Sequence, residues 1–153
     1  MPTSIGEVMT QKLETIDSSN TAQEAAKKMA DKNVSSLVVI DRADKPIGIV
    51  TERDLVRQVC VNDASSSNVI IHHIMSSPLV TIDSNSSIEE AADIMIQNKV
   101  RHLLVVMGND NRALGIITPT NFTTYLKKNL NMDDVNARIL QSLAEEGTEG
   151  FRH

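Results

Sequence analysis

An internal duplication constrains this chain more than any other feature of its sequence. Residues 5–40 align without a gap on residues 71–106, with 14 identities in 36 positions. After a one-residue insertion the copies realign at Gly48-Ile49-Val50-Thr51 and Gly115-Ile116-Ile117-Thr118. A small unit that cannot bury its own apolar face usually stacks on a copy of itself. The duplication therefore predicts two similar halves with a cleft between them, and a function is to be sought in that cleft.

Each copy predicts the order strand, helix, strand, strand, helix. In the first copy, a short strand over residues 14–17 precedes a helix that Thr21 and Glu24 begin as a capping box. Apolar residues three and four positions apart predict that one stripe of this helix faces a core, and they are Ala22, Ala25, Ala26 and Met29. Two apolar strands and a second helix are then predicted over residues 37–40, 47–50 and 52–60.

The second copy repeats these elements. Ser87 and Glu90 begin its first helix, and its apolar strands cover residues 103–106 and 114–117. A short polar turn joins the two strands in each copy, which predicts antiparallel hairpins. The last helix begins at Pro119, a tolerated first position, and is predicted to extend to about Lys128.

A further helix is predicted beyond the duplication. Within Met132–Glu146, Val135, Ile139 and Leu143 form a narrow apolar stripe. A lone amphipathic helix most often packs on its own domain or on a second subunit, so we expect a structural and dimerising role. Residues 147–153 are expected to form a loose tail. The predicted organisation is a first motif over residues 1–61, a linker over 62–70, a second motif over 71–130 and the C-terminal helix and tail over 131–153.

Composition excludes several classes of function. The net charge of -5 gives no general attraction to phosphate backbones or anionic lipids, which disfavours nucleic acid as a partner. A single cysteine, Cys60, excludes an intramolecular disulfide framework and a thiolate metal cluster, and its valine neighbours predict an inert, partly buried thiol. No apolar run approaches the roughly 20 residues of a membrane span, and residues 1–10 lack the features of a secretory signal. We therefore expect a cytoplasmic protein with no membrane segment.

The strongest chemical signal is the pattern Gly-x-x-Thr-x-x-Asp/Asn, which both copies carry where the last strand meets the last helix. Thr51 precedes Asp54, and Thr118 precedes Asn121, at the spacing of a helix cap, so local structure alone could require these residues. The alternative is a ligand site, because a carboxylate can accept two hydrogen bonds from a vicinal diol such as ribose. The two interpretations are compatible, and this spacing does not separate them.

The duplicated segments resemble a known family. In the first copy they are Val8-Met9-Thr10, Thr15-Ile16-Asp17, Glu24-Ala25-Ala26, Leu37-Val38-Val39-Ile40 and Gly48-Ile49-Val50-Thr51-Glu52-Arg53-Asp54-Leu55. Together with their repeats they resemble a tandem pair of CBS domains, the module of cystathionine β-synthase type, from residue 5 to about residue 128. The resemblance implies an α/β (α+β) fold, in which two pseudo-symmetric β-α-β-β-α motifs pack sheet to sheet, followed by a C-terminal helix.

The resemblance also implies a function. Such pairs are non-enzymatic regulatory modules that bind an adenosine-containing ligand (AMP, ADP, ATP or an S-adenosylmethionine-like molecule) between their halves. No cofactor is required beyond this regulatory nucleotide. Two pairs often associate into a disc, so a homodimer is expected, and a chain without an effector domain is expected to act on a separate, unidentified protein.

The resemblance implies that particular residues of this chain contact the ligand. Asp54 and Asn121 are expected to hold ribose hydroxyls, with Thr51 and Thr118 beside the sugar or phosphate. The remaining implied contacts are Arg53, Ile49, Ser35, Ser36, Thr10, Leu13, Thr120, Ile116, Ser76, Pro78, Leu79, Val100, Arg101 and His102.

The two copies depart from symmetry at the implied sites. Asn121 replaces the acid Asp54 and offers one acceptor oxygen and a donor instead of a carboxylate. Two dipeptides also differ, Ser35-Ser36 against Arg101-His102 and Glu52-Arg53 against Pro119-Thr120. We therefore expect sites of unequal affinity, with the better ribose contact at Asp54. Arg101 and Arg53 are the expected phosphate partners, because a guanidinium matches phosphate oxygens in a planar fork.

Other interpretations stay open at this point. Arg53 could be a solvated residue or part of a salt bridge across a dimer interface, and His102 could sense pH, touch phosphate or be a satisfied strand histidine. The adjacent His72 and His73 are interpreted as a surface pair in preference to a metal site. The rival function is a structural or dimerisation module with degenerate pockets that acts through its C-terminal helix. A nucleotide-hydrolysing enzyme is disfavoured, because no nucleophile with an identifiable base is present.

Overall fold

The computed structural model of the protein describes residues 3–108, 112–129 and 132–146. The chain forms two compact units, of which the first ends at Thr118 and the second begins at Pro119. The first unit contains two three-stranded sheets of identical topology, one from each copy. This arrangement confirms the predicted fold class of two similar α/β motifs. We call the copies the first repeat (residues 5–60) and the second repeat (residues 71–128).

The first sheet consists of β1 (Thr15–Asp17), β2 (Ser36–Ile40) and β3 (Pro46–Thr51), in that order. β1 and β2 are parallel, and the helix α2 (Ala22–Lys32) connects them. β2 and β3 form the predicted antiparallel hairpin. The β-branched run in β2 suits a strand that is buried on both faces, and Leu37, Val38 and Val39 are completely buried.

The second sheet repeats this design with β4 (Thr81–Asp83), β5 (Leu103–Met107) and β6 (Arg112–Ile117). α4 (Ile88–Asn98) joins the parallel pair β4 and β5, and β5 pairs with β6 in antiparallel fashion. Each helix begins at a hydroxyl cap, where Thr21 or Ser87 accepts a hydrogen bond from the backbone three residues on. In the first repeat Glu24 also accepts from Thr21 N, which completes the predicted capping box.

The apolar stripe of α2 is narrower than the sequence predicts. Ala22, Ala25 and Met29 are buried, but Ala26 is exposed. Residues four apart on a helix diverge by about 40°, and Ala26 lies beyond the strip that the sheet covers. The prediction that Ala26 faces the core is therefore wrong.

The two sheets share one buried cluster. Val38 and Ile49 of the first sheet pack with Leu104, Val106 and Ile116 of the second. Each fully buried aliphatic side chain of this kind contributes about 1.5–3 kcal/mol relative to exposure. This burial holds the repeats sheet to sheet.

The repeats also exchange the segments that precede their first strands. Ile71, at the start of the second repeat, is completely buried in the core of the first repeat, beside Leu37 and Val50. The corresponding α1 (Ile5–Val8) of the first repeat lies on the second, where Ile5 is completely buried. Neither repeat completes its core without the other.

Two glycines permit this exchange, because the exchanged segment of the other repeat passes in backbone contact with each of them. A Cβ at Gly48 would lie 2.7 Å from the Ser76 carbonyl oxygen, and a Cβ at Gly115 would lie 2.4 Å from that of Thr10. Both distances are shorter than real contacts allow, so glycine is required at both positions.

The helix after β3 changes from an α-helix to a π-helix along its length. α3 (Glu52–Leu55) is an α-helix, and residues Val56–Cys60 continue it as a π-helix. Val59 is buried, whereas Cys60 is exposed. The prediction of a partly buried thiol is wrong, because neighbouring helical residues point roughly 100° apart and the burial of Val59 does not extend to Cys60.

The second unit contains α5 (Pro119–Asn129) and α6 (Met132–Glu146), at the predicted positions. On α6 the apolar residues Ile139, Leu140 and Leu143 are 52%, 67% and 43% exposed. The Val135 side chain and the tail over residues 147–153 lie outside the described residues. None of the helices in the described ranges is long and apolar enough to cross a membrane.

Candidate functional site

The candidate site begins at the C-terminal end of β3, where the chain turns into α3. Thr51 is the N-cap, and its side-chain oxygen accepts a hydrogen bond from Asp54 N at 3.2 Å. In return Asp54 Oδ2 accepts from Thr51 N at 2.9 Å and from Thr51 Oγ1 at 3.0 Å. The cap predicted from the sequence is therefore present. Both bonds end on Oδ2, so within the described contacts Oδ1 can still accept from a ligand.

The start of β2 lies beside this turn. Ser36 pairs with Thr51 in the sheet, and Glu52 N donates to Ser35 O at 3.0 Å. Ser36 is half-buried and Ser35 is exposed. The predicted residues Ser35, Ser36 and Thr51 thus lie together at one end of the first sheet.

The second repeat reaches the same end through the segment that precedes β4. Ser76 and Ile49 exchange both backbone hydrogen bonds, at 2.8 and 3.0 Å. Leu79, three residues later, packs against the cluster that contains Ile49. Pro78 between them is exposed. Predicted contacts from the second repeat are therefore attached directly to the strand that leads to Asp54.

His102 brings a second group from the second repeat to this site. The side chain is half-buried just before β5. Burial lowers the pKa of His102 below its ordinary value of 6.5, and the positive charge of Arg101 lowers it further, while the carboxylate of Asp54 acts in the opposite direction. His102 of the second repeat is therefore within electrostatic reach of Asp54 of the first, 48 positions earlier in the sequence.

The equivalent end of the second sheet shares part of this design. Thr10 and Ile116 exchange hydrogen bonds at 2.8 and 3.0 Å, and Leu13 packs on the cluster that contains Ile116. Thr118, at the end of the first unit, is half-buried. The corresponding helix residues Thr120 and Asn121 belong to the second unit, where Thr120 O accepts a hydrogen bond from Thr124 Oγ1 at 3.0 Å. The expectation that Asn121 completes this site stays a prediction.

Three predicted residues have other surroundings. Val100 N donates to Met95 O at 3.0 Å and closes the end of α4. Arg53 and Arg101 are both exposed. Their role as phosphate partners stays a prediction.

Sequence reasoning missed two features near the site. Lys12 lies between the predicted contacts Thr10 and Leu13, and its Nζ donates to Lys32 O at 2.7 Å, at the end of α2. The proximity of His102 to Asp54 was also missed, since the repeat pattern does not show which residues face each other across the sheets. His72 and His73 are exposed with ring centroids 6.0 Å apart, and within the described ranges no three His, Cys, Asp or Glu side chains group as metal ligands would.

Comparison with known proteins agrees with this geometry. The CBS domain family model matches residues 5–60 and 71–128. An uncharacterised protein of Methanopyrus kandleri is 36% identical over 75% of this chain, a match that spans 58% of that relative's length.

Two solved structures extend the comparison to the fold. An uncharacterised conserved protein from Pyrococcus horikoshii matches with a TM-score of 0.74 and 27% identity, over 86% of this chain and 97% of that one. A hexameric CBS-CP12 protein from bloom-forming cyanobacteria matches with a TM-score of 0.73 and 27% identity, over 97% of this chain and 88% of that one.

Proposed function

The chain belongs to the CBS-domain family, and from this premise we propose that it is a regulatory module that binds an adenosine-containing ligand beside Asp54. The observation that carries the proposal is the backbone bridge between Ser76, from the second repeat, and Ile49, on the strand of the first repeat that leads to Thr51 and Asp54. A ligand seated there touches both repeats, so its binding can change how they pack.

Each part of such a ligand has a matching group at this end of the first sheet. The Asp54 carboxylate accepts hydrogen bonds from a ribose diol through Oδ1, while Oδ2 keeps the helix cap. The aliphatic side chains of Ile49 and Leu79, which belong to one apolar cluster, suit an adenine face. The exposed guanidinium groups of Arg53 and Arg101 supply the phosphate contacts. AMP, ADP, ATP and S-adenosylmethionine share the adenosine that the first two kinds of contact recognise. They differ in the group attached to the ribose, so the contacts of Arg53 and Arg101 with that group decide among them.

The proposed action is regulatory and not catalytic. A ligand shifts an equilibrium between two packings only by its difference in affinity for them, and a tenfold difference corresponds to about 1.4 kcal/mol. We propose a homodimer of two CBS pairs, which would report the ligand to a separate regulated protein. The cyanobacterial CBS-CP12 protein is described as hexameric, which supports the proposal that a chain of this fold forms oligomers.

Calorimetric titration with AMP, ADP, ATP and S-adenosylmethionine tests the proposal. We expect at least one of the four to bind, and Asp54→Ala to weaken that ligand by about 10- to 100-fold, the value of hydrogen bonds to a charged group. Glu24→Ala is the matched control, because Glu24 closes the same kind of capping box at the start of a different helix, α2. Equal binding heats for wild type and Asp54→Ala would show that Asp54 does not contact the ligand.

The second candidate function is a dimerisation module that acts through protein contact alone. The exposed apolar residues Ile139, Leu140 and Leu143 of α6 favour it. It predicts that none of the four ligands binds at millimolar concentration and that removal of residues 132–153 yields a monomer by light scattering. Ligand binding that survives this truncation would support the regulatory module instead.

A further inference from the structure

The helices α2 and α4 occupy the same place in the two repeats, and each has one face that is open to solvent. Residues three and four apart lie together on a helix surface. On α2 we call one such exposed row the α2 strip, and it consists of Gln23, Ala26, Lys27 and Ala30. The duplication aligns it with a row on α4 that we call the α4 strip, which consists of Glu89, Ala92, Asp93 and Ile96. Only Ala92 among these eight side chains is half-buried, and the others are exposed.

The two strips differ in charge. Lys27 of the α2 strip corresponds to Asp93 of the α4 strip, and the neutral Gln23 corresponds to Glu89. The whole helices differ in the same direction, because α2 has three lysines and two acidic residues, whereas α4 has three acidic residues and no basic one. The α4 strip is therefore acidic, and the α2 strip presents a cation at the equivalent position.

The acidic groups of the α4 strip are not compensated within the described part of the chain. Glu89 and Asp93 are four residues apart, a spacing at which like charges destabilise a helix. Within the described residues, no ion pair or side-chain hydrogen bond engages Glu89, Asp93 or Lys27. A cation placed against the α4 strip from outside would relieve this repulsion.

The strips also differ in the size of their side chains. Ile96 is 74% exposed, more than any other large apolar side chain among the described residues. Its counterpart on α2 is Ala30, which together with Ala26 leaves a shallow surface. Facing helices pack closely when large side chains on one meet small side chains on the other. The shallow α2 strip therefore fits the protruding Ile96 of an α4 strip.

From these differences we infer that the α2 strip of one molecule binds the α4 strip of a second molecule of this chain, so that two CBS pairs associate head to tail. The inference rests on the proposed homodimer and assigns the surfaces that form it. Each molecule offers both strips, so the same contact forms twice in a two-fold symmetric dimer. Contact of each strip with its own copy would instead set Lys27 against Lys27 of the partner subunit and Asp93 against the partner's Asp93. Such like-charge contacts disfavour that arrangement.

Charge exchange in the full-length protein tests the inference, with the dimer dissociation constant measured by sedimentation velocity. Lys27→Glu sets an acid against Asp93 of the partner subunit, and Asp93→Lys sets a base against the partner's Lys27. We expect either change alone to raise the dissociation constant about tenfold. A chain with both changes restores both pairs with reversed signs, and we expect its dissociation constant to return to within about threefold of wild type.

Lys45→Glu is the matched control for the change in net charge. Lys45 is exposed and lies in the turn between β2 and β3, on neither strip. We expect this variant to associate like wild type. Equal weakening by Lys45→Glu and Lys27→Glu would show that net charge is the cause and would overturn the inference.

The chain with both changes separates head-to-tail contact from contact of each strip with its own copy. In the latter arrangement it would still place like charges together at both positions, so it would not recover association. A doubly changed chain that associates no better than the single variants, or single variants that associate like wild type, overturns the inference and leaves the homodimer itself standing. A wild-type protein that stays monomeric at every concentration overturns both. The ligand site is judged separately, by the calorimetric comparison of wild type with Asp54→Ala.

Discussion

The two repeats agree in their cores and differ at their polar ends. The buried positions correspond almost one for one, as in the pairs Ile16 and Ile82, Met29 and Met95, and Leu37 and Leu103. At the ends of the sheets, by contrast, Ser35-Ser36 corresponds to Arg101-His102 and Asp54 to Asn121. Core positions are restricted by close packing, whereas exposed ends can change charge without disturbing the fold. The difference indicates one scaffold whose two polar ends differ in charge and hydrogen-bonding groups.

The largest expected effect on stability comes from the two glycines, Gly48 and Gly115, over which the backbone of the other repeat passes. Gly115→Ala places a Cβ 2.4 Å from a backbone oxygen, and Gly48→Ala places one 2.7 Å from the equivalent oxygen. We expect each change to lower the free energy of unfolding by about 1–3 kcal/mol, with the greater loss at Gly115. Urea denaturation measures both. Wild-type stability in both variants would contradict the exchange of the segments that precede β1 and β4.

The next effect concerns the unequal ligand contacts. Asp54→Asn gives the first repeat the residue of the second, leaving one acceptor oxygen and adding a donor. We expect the affinity for an adenosine ligand to fall about tenfold, and Asn121→Asp to raise the affinity of the weaker site. Calorimetry on the two variants and on their combination measures this. If Asp54→Asn binds like wild type, the carboxylate is not what distinguishes the repeats.

A smaller effect concerns His102, whose counterpart in the first repeat is Ser36. Burial and Arg101 lower the pKa of His102 below 6.5 in the folded protein, so the imidazole binds a proton more readily in the unfolded chain. The stability that His102 contributes is therefore complete above pH 6.5 and is lost as the pH falls below that value. His102→Gln should flatten this slope in denaturation experiments between pH 7.5 and 5. A wild-type protein that gains stability through this residue on acidification would show that attraction to Asp54 dominates instead.

The smallest effect lies in the turns after β1 and β4. The Ser19 hydroxyl and then the Ser19 backbone N–H donate to Asp17, and they lower the pKa of this carboxyl below 3.8. The second repeat has Asn85 at the equivalent position, and the Asn85 backbone N–H donates to Asp83 Oδ1 at 2.8 Å. Ser19→Ala should raise the pKa of Asp17 towards its ordinary value, as measured by NMR titration. An unchanged Asp17 titration would exclude the hydroxyl as the cause.

The sequence predicted the elements of the fold because their signals are local. The capping box of Thr21 and Glu24, the apolar run around Val38 and the antiparallel strand pairs of both hairpins depend on neighbours in the chain, and all lie where they were predicted. The exchange of the segments that precede the first strands could not be predicted. The repeat pattern shows that Ile5 and Ile71 are equivalent, but it does not show which repeat buries each of them. The same limit applies to the candidate site, where the cap at Asp54 is a local feature and the approach of His102 is a tertiary one.

A double-mutant cycle tests most directly the claim that both repeats build one ligand site. The affinity of the tightest of the four adenosine ligands is measured by calorimetry for wild type, Asp54→Asn, His102→Gln and the double variant. Because both side chains are proposed to contact the same ligand, the account predicts a coupling free energy above about 0.5 kcal/mol, the threshold for residues that share a network. Strictly additive changes, or affinities that none of the substitutions alters, would contradict it.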